Sequence, residues 1–221
     1  MNRREFIKIG GLGALSLFVS GCGSAGLTDT KNASAEKVSG GAKMKIVVIN
    51  SSPHSEEEST SRYLAQKFSE GAKSAGHEIF TFDAAREETH PCQGCDHCGM
   101  DGPCIYKDAI EKKLMPKMLE ADLLVLVTPL YYFGMSAQLK TIVDRFYART
   151  EHLHHKKSLL LATAWNTADW TFTALDTHYQ TLVRYMEWEN IGAVLATGSG
   201  YRSAVESSQF ADAAYKIGAS L

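Results

Sequence analysis

The chain has 221 residues, of which 44% are hydrophobic and 22% charged, with a formal net charge of −2. That balance is globular and carries no Lys and Arg excess to track a phosphate backbone, which argues against nucleic acid as a partner. Five cysteines are too few for a disulfide scaffold of this length, and four of them crowd between Cys92 and Cys104.

In chain order, the first segment is an address. Asn2 to Lys8 is basic, Ile9 to Val19 is a short apolar stretch, and Val19-Ser20-Gly21-Cys22 follows. A charged start, a short apolar core and small residues form a secretory signal, shorter than the ~20 apolar residues of a membrane span. Arg3-Arg4 followed by Phe6-Ile7-Lys8 resembles a twin-arginine export signal. Val-Ser-Gly-Cys resembles a lipobox, in which Cys22 becomes the lipidated N-terminus of a lipoprotein. A chance Arg pair before an ordinary cleavage site is the alternative. The expected organisation is an export signal over 1–21, a flexible Gly/Ser/Ala-rich tether over 22–43, and one domain over 44–221. The expected location is the periplasm or the outer face of the cell membrane, with a lipid anchor as the only membrane contact.

Met44 to Asn50 is a continuous β-branched run, as a central parallel strand requires. Leu64, Phe68 and Ala72 recur every four residues and predict a helix that Gly76 ends. Glu78 to Phe82 is a more polar strand suited to a sheet edge. A cysteine-containing loop follows, and the spacing of Ile110, Leu114 and Met118 predicts a helix from Asp108 onward, kinked at Pro116. Asp122 to Thr128 is a buried strand, and Ser136 caps a helix carrying Leu139, Ile142, Val143 and Phe146. Ser158 to Ala164 and Ile191 to Ala196 are further strands, separated by a helix marked by Leu175, Tyr179, Leu182 and Met186. Phe210 to Ile217 reads as a closing helix. This alternation predicts a doubly wound α/β fold, a five-stranded parallel sheet with helices on both faces. Such sheets bind ligands beyond the carboxyl ends of their strands. The loops starting at Asn50, Thr128 and Ala164 are therefore the candidate site.

The first of these loops runs Asn50-Ser51-Ser52-Pro53-His54, then Ser55 and three glutamates, then Ser59-Thr60-Ser61 opening a helix. Hydroxyls and free N–H groups at a helix N-terminus form an anion site. The loop lacks GxxxxGK[ST] and GxGxxG, and a Ser/Thr loop without Lys suits a single phosphomonoester such as that of FMN. Glu56, Glu57 and Glu58 would repel a phosphate and are expected to face water. The second loop is Thr128-Pro129-Leu130-Tyr131-Tyr132-Phe133-Gly134. Three consecutive aromatics cannot all enter the core, so at least one lies at the surface or across a planar ligand.

Here a family resemblance enters. The run Ala121 to Tyr147, ADLLVLVTPLYYFGMSAQLKTIVDRFY, resembles the signature of the NAD(P)H-dependent FMN reductase branch of the flavodoxin-like proteins. Ser51-Ser52-Pro53-His54 resembles that family's Gly-Ser-Pro-Arg loop, with Ser51 and His54 as departures, and Thr60 falls where the family has an Asn-Thr pair. The resemblance covers Met44 to near the C-terminus. It implies FMN held at its phosphate by Ser52, His54, Ser59, Thr60 and Ser61. At the ring it implies Pro129, Leu130, Tyr131, Tyr132, Phe133 and Gly134, with Ala164, Trp165 and Asn166 from the third loop. It also implies NAD(P)H as co-substrate and a homo-oligomer that completes the flavin pocket.

Cys92, Cys95, Cys98 and Cys104 form C-x2-C-x2-C-x5-C within a cysteine-rich insertion at 92–104. Three thiolates at such spacing can wrap one face of a metal cluster while the fourth closes it. The spacing resembles the compact motif of iron–sulfur flavoproteins, which hold a 4Fe-4S cluster beside FMN. Free thiols, disulfides and zinc, whose ligands more often come as two separated knuckles, stay open. His97 is expected to be exposed. His152, His154 and His155 read as an exposed turn beside Lys156 and Lys157, with a metal site as the alternative. Asp144-Arg145 reads as a structural ion pair. No catalytic acid or base is apparent, and GxSxG and HExxH are absent from the sequence. The expected function is FMN-dependent electron transfer by an oxidoreductase, through FMN and the cluster. An electron carrier for a partner protein, without turnover of its own, is the alternative. Export argues against a nicotinamide donor, because those cofactors stay in the cytoplasm.

Overall fold

The computed structural model describes residues 42–221; the segment read as an export signal, Cys22 with its expected lipidation, and the expected tether up to residue 41 lie outside the described residues. The β-branched run after the tether becomes β1 (Lys45–Asn50), followed in the chain by β2 (Glu78–Asp83), β3 (Leu123–Tyr131), the two-residue β4 (Gly134–Met135), β5 (Lys157–Thr163) and β6 (Glu189–Ala196). Five of these pair in parallel in the order β2-β1-β3-β5-β6. All five predicted strands are present. β3 runs past its predicted end at Thr128 because Leu130 and Tyr131 pair antiparallel with Met135 and Gly134 of β4. The order is that of a flavodoxin-like doubly wound sheet.

Both faces of the sheet are covered, which is why its central strands are unbroken apolar runs. Ile46 and Val48 of β1 pack into one core, whereas Val47 and Ile49 pack into the other. The helices are α1 (Thr60–Ser74), α2 (Met115–Glu120), α3 (Ala137–Arg145), α4 (Thr173–Tyr185), α5 (Arg202–Glu206) and α6 (Gln209–Ala219). α1, α5 and α6 contribute Leu64, Phe68, Val205 and Ala214 to one core, and α2, α3 and α4 contribute Met118, Ile142 and Leu175 to the other. Each fully buried Leu, Ile, Val, Phe or Met side chain among them is worth about 1.5–3 kcal/mol. Two glycines set the closest helix contact. A Cβ on Gly71 of α1 would stand 2.1 Å from the Tyr215 carbonyl oxygen of α6, and one on Gly218 would stand 2.2 Å from the Phe68 carbonyl oxygen.

The kink expected at Pro116 takes a specific form. Residues Ile110–Leu114 make a π turn, and the Met115 N–H donates to the Ile110 carbonyl five residues back. Pro116 has no N–H for the carbonyl four residues before it and its ring crowds that turn, so the widened turn absorbs the proline.

β1 leads outward to β2, and the chain then returns to lay β3 on the other side of β1. The loops after β1 and β3 therefore part above that boundary, and a crevice opens between them.

Candidate functional site

The loop after β1 is held from below by a buried polar network. Ser51 Oγ donates to the Val127 carbonyl at 2.8 Å and accepts from Ser136 Oγ at 2.8 Å. The Ser136 N–H in turn donates to Thr128 Oγ1 at 2.9 Å. Three arginines hold the carbonyls at alternate positions of this loop. Arg62 Nη2 donates to Ser52 O at 3.5 Å, Arg86 Nη2 to His54 O at 3.3 Å, and Arg202 Nη1 to Glu56 O at 2.7 Å. Arg62 is itself buried and paired with Asp83 at 2.7 Å. The loop ends at Ser59, whose Oγ caps α1 by accepting from the Arg62 N–H at 3.1 Å. The Thr60 and Ser61 N–H groups, first in the helix, have no acceptor among the described residues. Free N–H groups at the positive end of a helix dipole favour an anion.

These residues line one side of a cleft of about 480 Å³, a size within the range of small-molecule sites. Ser52, His54 and Thr60 come from the β1 loop; Pro129, Leu130 and Tyr131 from the end of β3; Ala164 and Trp165 from the loop after β5. Thr60 Oγ1 donates to Thr163 Oγ1 at 2.9 Å and joins the β1 loop to the end of β5 across the cleft floor. Hydroxyl and N–H donors thus gather at one end, and the aromatic faces of Tyr131 and Trp165 stand nearby. Eight of the predicted flavin residues meet here.

The other six have different surroundings. Ser59 is the cap, and Ser61 is buried with its Oγ unpaired. Tyr132 and Phe133 form the two-residue turn between β3 and β4, both left-handed with φ of 46° and 64°. Left-handed backbone at both central residues is the hairpin geometry that matches strand twist. It leaves Tyr132 101% exposed and sets Phe133 against Trp170, with ring centroids 4.9 Å apart. Gly134 closes the turn opposite Tyr131. Asn166 spends its side chain accepting from the Ala168 N–H at 3.0 Å.

A fourth wall escaped the sequence reading. Ser199, Gly200, Tyr201 and Arg202 from the loop after β6 line the cleft. Trp165 lies on Gly200, where a Cβ would come within 2.6 Å of the indole, and packs edge-on against Tyr201 at 4.7 Å. The Gly198-Ser199-Gly200 run was the available signal. The three glutamates are exposed, as their charge requires, yet Glu57 and Glu58 stand on the cleft rim.

The cysteine loop has a different foundation. Its base is closed by the Ala109 N–H donating to the Glu88 carbonyl at 3.0 Å. Beneath it, Arg145 reaches from α3 to the buried Asp108 in a two-pronged pair at 2.8 and 3.3 Å, and donates to the His90 carbonyl at 2.9 Å. Burial by itself would raise the Asp108 carboxyl; the Arg145 guanidinium and the N–H groups of His90 and Glu111 outweigh burial and hold it below the usual carboxylate range. His90 stacks on Tyr106 at 4.7 Å. Further along, Tyr147 donates to Asp96 at 2.8 Å, while Arg149 bonds the Gly102 carbonyl and pairs with Glu111 at 2.8 Å. Asp144 and Arg145 do not pair with each other, a correction to the sequence reading. Neighbours on a helix project about 100° apart, so Asp144 meets Lys140 at 2.5 Å while Arg145 turns inward.

Cys92 and Cys95 are exposed, Cys98 half-buried and Cys104 buried, and all four are free thiols. His97 is exposed. No three of the sulfur atoms lie within 4.8 Å of one another. Four thiols on one closed loop are the donor set that an iron–sulfur cluster uses. A cavity of about 320 Å³ opens beside Cys92, lined also by Asp96, Asp144 and Tyr147.

Residues 44–205 match the family model described as NADPH-dependent FMN reductase. An iron–sulfur flavoprotein of Methanocaldococcus jannaschii is 35% identical over 102 residues, 46% of this chain and 51% of that one. An iron–sulfur flavoprotein of Archaeoglobus fulgidus is also 35% identical over 102 residues, 46% of this chain and 48% of that one. The chain thus spans about half the length of the curated relatives it matches. Among solved structures, a NAD(P)H:quinone oxidoreductase from Methanothermobacter marburgensis superposes with a TM-score of 0.63 at 21% identity, covering 80% of this chain and 96% of that one. An azoreductase from Bacillus anthracis gives a TM-score of 0.60 at 16% identity, covering 80% of this chain and all of that one, 100%; at these identities the likeness is one of fold. With the cleft at the carboxyl ends of β1, β3 and β5 and a family match over most of the described domain, the chain belongs to the NADPH-dependent FMN reductase family of flavin-dependent oxidoreductases.

Proposed function

We propose that this chain is an exported oxidoreductase that binds FMN in the cleft and a 4Fe-4S cluster on Cys92, Cys95, Cys98 and Cys104, and passes electrons between a donor and an acceptor through them. The observation that carries the FMN reading is the convergence of free N–H groups at α1, the Ser52 and Thr60 hydroxyls, and Tyr131 and Trp165 in one cleft. When bound, FMN exchanges electrons singly or in pairs and an iron–sulfur cluster exchanges them singly. The chain's own part is placement. The α1 N-terminus would bind the phosphate, Pro129 and Leu130 would line the ring's side of the cleft, and Tyr131 and Trp165 would exclude water from it.

The cluster reading rests on the cysteine spacing, on the four unpaired thiols, and on the relatives named as iron–sulfur flavoproteins. The export and lipid-anchor reading rests on Arg3-Arg4 and on Val19 to Cys22. Tyr132, Phe133 and Trp170 at the β3–β4 turn and Tyr201 on the cleft wall are exposed, and in our reading a second copy of the chain covers them. Of the donors, NAD(P)H follows from the family, whereas an exported protein meets reduced quinols or a protein donor.

Anaerobic stopped-flow mixing with NADPH, NADH and a reduced quinol separates these donors. The account predicts FMN bleaching within the assay's dead time to seconds by at least one of them, and sustained turnover once an acceptor is added. Bleaching by none of them, with reduction only by a partner protein and no turnover, would make the chain a carrier.

A further inference from the structure

At the end of the sheet opposite the cleft, the turn entering β5 meets the turn entering β6. His155 and Glu187 lie in these turns, both with left-handed backbone, at φ of 58° and 52°. Glu187 occupies the position just after the α4 C-cap. Its N–H donates to Arg184 O at 3.4 Å and the Trp188 N–H donates to Val183 O at 2.9 Å, the bonds of a Schellman motif. The same motif ends α1, and there the left-handed position is Gly76, at φ 96°. A charged side chain at this position carries backbone strain that glycine avoids.

The two turns are clasped together. The His155 N–H donates to Met186 O at 3.1 Å, and the Trp188 indole N–H donates to Leu153 O at 2.5 Å. The clasp sets His155 Nδ1 3.4 Å from Glu187 Oε2. That is the separation of two ligands each about 2.1 Å from one tetrahedral ion. His154 joins them, so that one ligand-competent atom from each of the three residues lies within 4.8 Å of the others. His154 Nε2 is buried and has no hydrogen-bond partner among the described residues. The next lysine is committed elsewhere, with Lys156 Nζ donating to the Leu119 and Ala121 carbonyls at 3.1 and 2.8 Å.

We propose that His154, His155 and Glu187 form a binding site for a divalent transition-metal ion of the zinc or nickel type. Two imidazoles and one carboxylate match these borderline ions and not calcium or magnesium, which take oxygen ligands. Three protein ligands leave the remaining positions to water. The ion ties the turn before β5 to the turn before β6, at the far end of the sheet from the electron-transfer site and independently of it.

The test is calorimetric titration of the untagged, FMN-loaded full chain with Ni2+, paired with thermal melts with and without Ni2+. The variants are His155→Gly and Glu187→Gly, chosen because glycine fits the left-handed backbone, and His152→Gln as a control for binding by a histidine outside the site. The site predicts one Ni2+ per wild-type chain, at least tenfold weaker binding in each glycine variant, and wild-type binding in His152→Gln. It also predicts glycine variants that melt no lower than wild type without metal and lose the Ni2+-dependent rise in Tm. Absence of wild-type binding, undiminished binding in either glycine variant, or loss of binding in His152→Gln would overturn it.

Discussion

The floor of the cleft is strand: β1, β3 and β5 deliver Ser52, Pro129 and Ala164 to one level because their registers are fixed by the ladder, with Ser51 N–H bonded to Val127 O and Thr163 paired opposite Pro129. The cysteine loop has no strand beneath it. It hangs from side chains that leave the end of α3 and the turn after it at every second residue, namely Arg145, Tyr147 and Arg149. A site built on ladder hydrogen bonds inherits the stability of the core. A site hung on side chains can be released by changing one of them, with the fold left standing.

The largest expected effect follows from that contrast. Arg145→Ala leaves Asp108 buried and unpaired, and should cost about 3–5 kcal/mol in denaturant unfolding. Where the variant still folds, it should lose iron from the cysteine loop and keep FMN. The same pair sets a pH dependence. The Asp108 carboxyl is held below its unfolded value by Arg145 against the opposing effect of burial, so its contribution is full above the unfolded pKa of about 3.9 and is lost as pH falls through the lower native value. The stability gap between wild type and Asp108→Asn should therefore be constant above about pH 5 and close in the acid range. A gap that widens on acidification would contradict the assignment.

A change aimed at the other site should do the reverse. Gly71→Ala would force α1 off α6, at about 1–3 kcal/mol, and move the N–H groups of Thr60 and Ser61. Equilibrium dialysis should show weaker FMN binding, with iron per chain unchanged. The smallest effect is expected at Tyr132, whose side chain is fully exposed on left-handed backbone. Tyr132→Gly trades a left-handed penalty of about 1–2 kcal/mol for the glycine entropy cost of about 0.5–1 kcal/mol, so the monomer should gain between about 0 and 1.5 kcal/mol. A dimer that uses this ring would instead be weakened, and sedimentation would show it.

The sheet was readable because its signal is local: runs such as MKIVVIN and DLLVLVT state their own burial, and Gly76 and Ser136 mark helix ends where the structure has them. The walls of the cleft supplied by the loops after β1 and β3 were readable from residue type, hydroxyls before a helix and aromatics after a strand. The wall supplied by Ser199 to Arg202 was not. Its place depends on β6 lying beside β5, which sheet order decides and no short window of residues displays. For the same reason no local pattern singles out Arg62, Arg86 and Arg202, which the fold brings to the carbonyls of one loop. Glu187 joins His155 only through that same β5–β6 adjacency. Tyr132 shows the limit of reading by residue type: an aromatic in the right loop is turned outward by a hairpin whose backbone geometry lies beyond composition.

The most direct test of the central claim is the absorption spectrum of the full chain, purified without oxygen, with FMN, iron and sulfide measured on the same sample. The account predicts one FMN and about four irons per chain, the stoichiometry of one 4Fe-4S cluster, with a broad shoulder beyond the flavin bands that dithionite bleaches. A clean flavin spectrum without iron, from protein whose four thiols titrate free, would contradict it and leave an FMN enzyme with an empty cysteine loop.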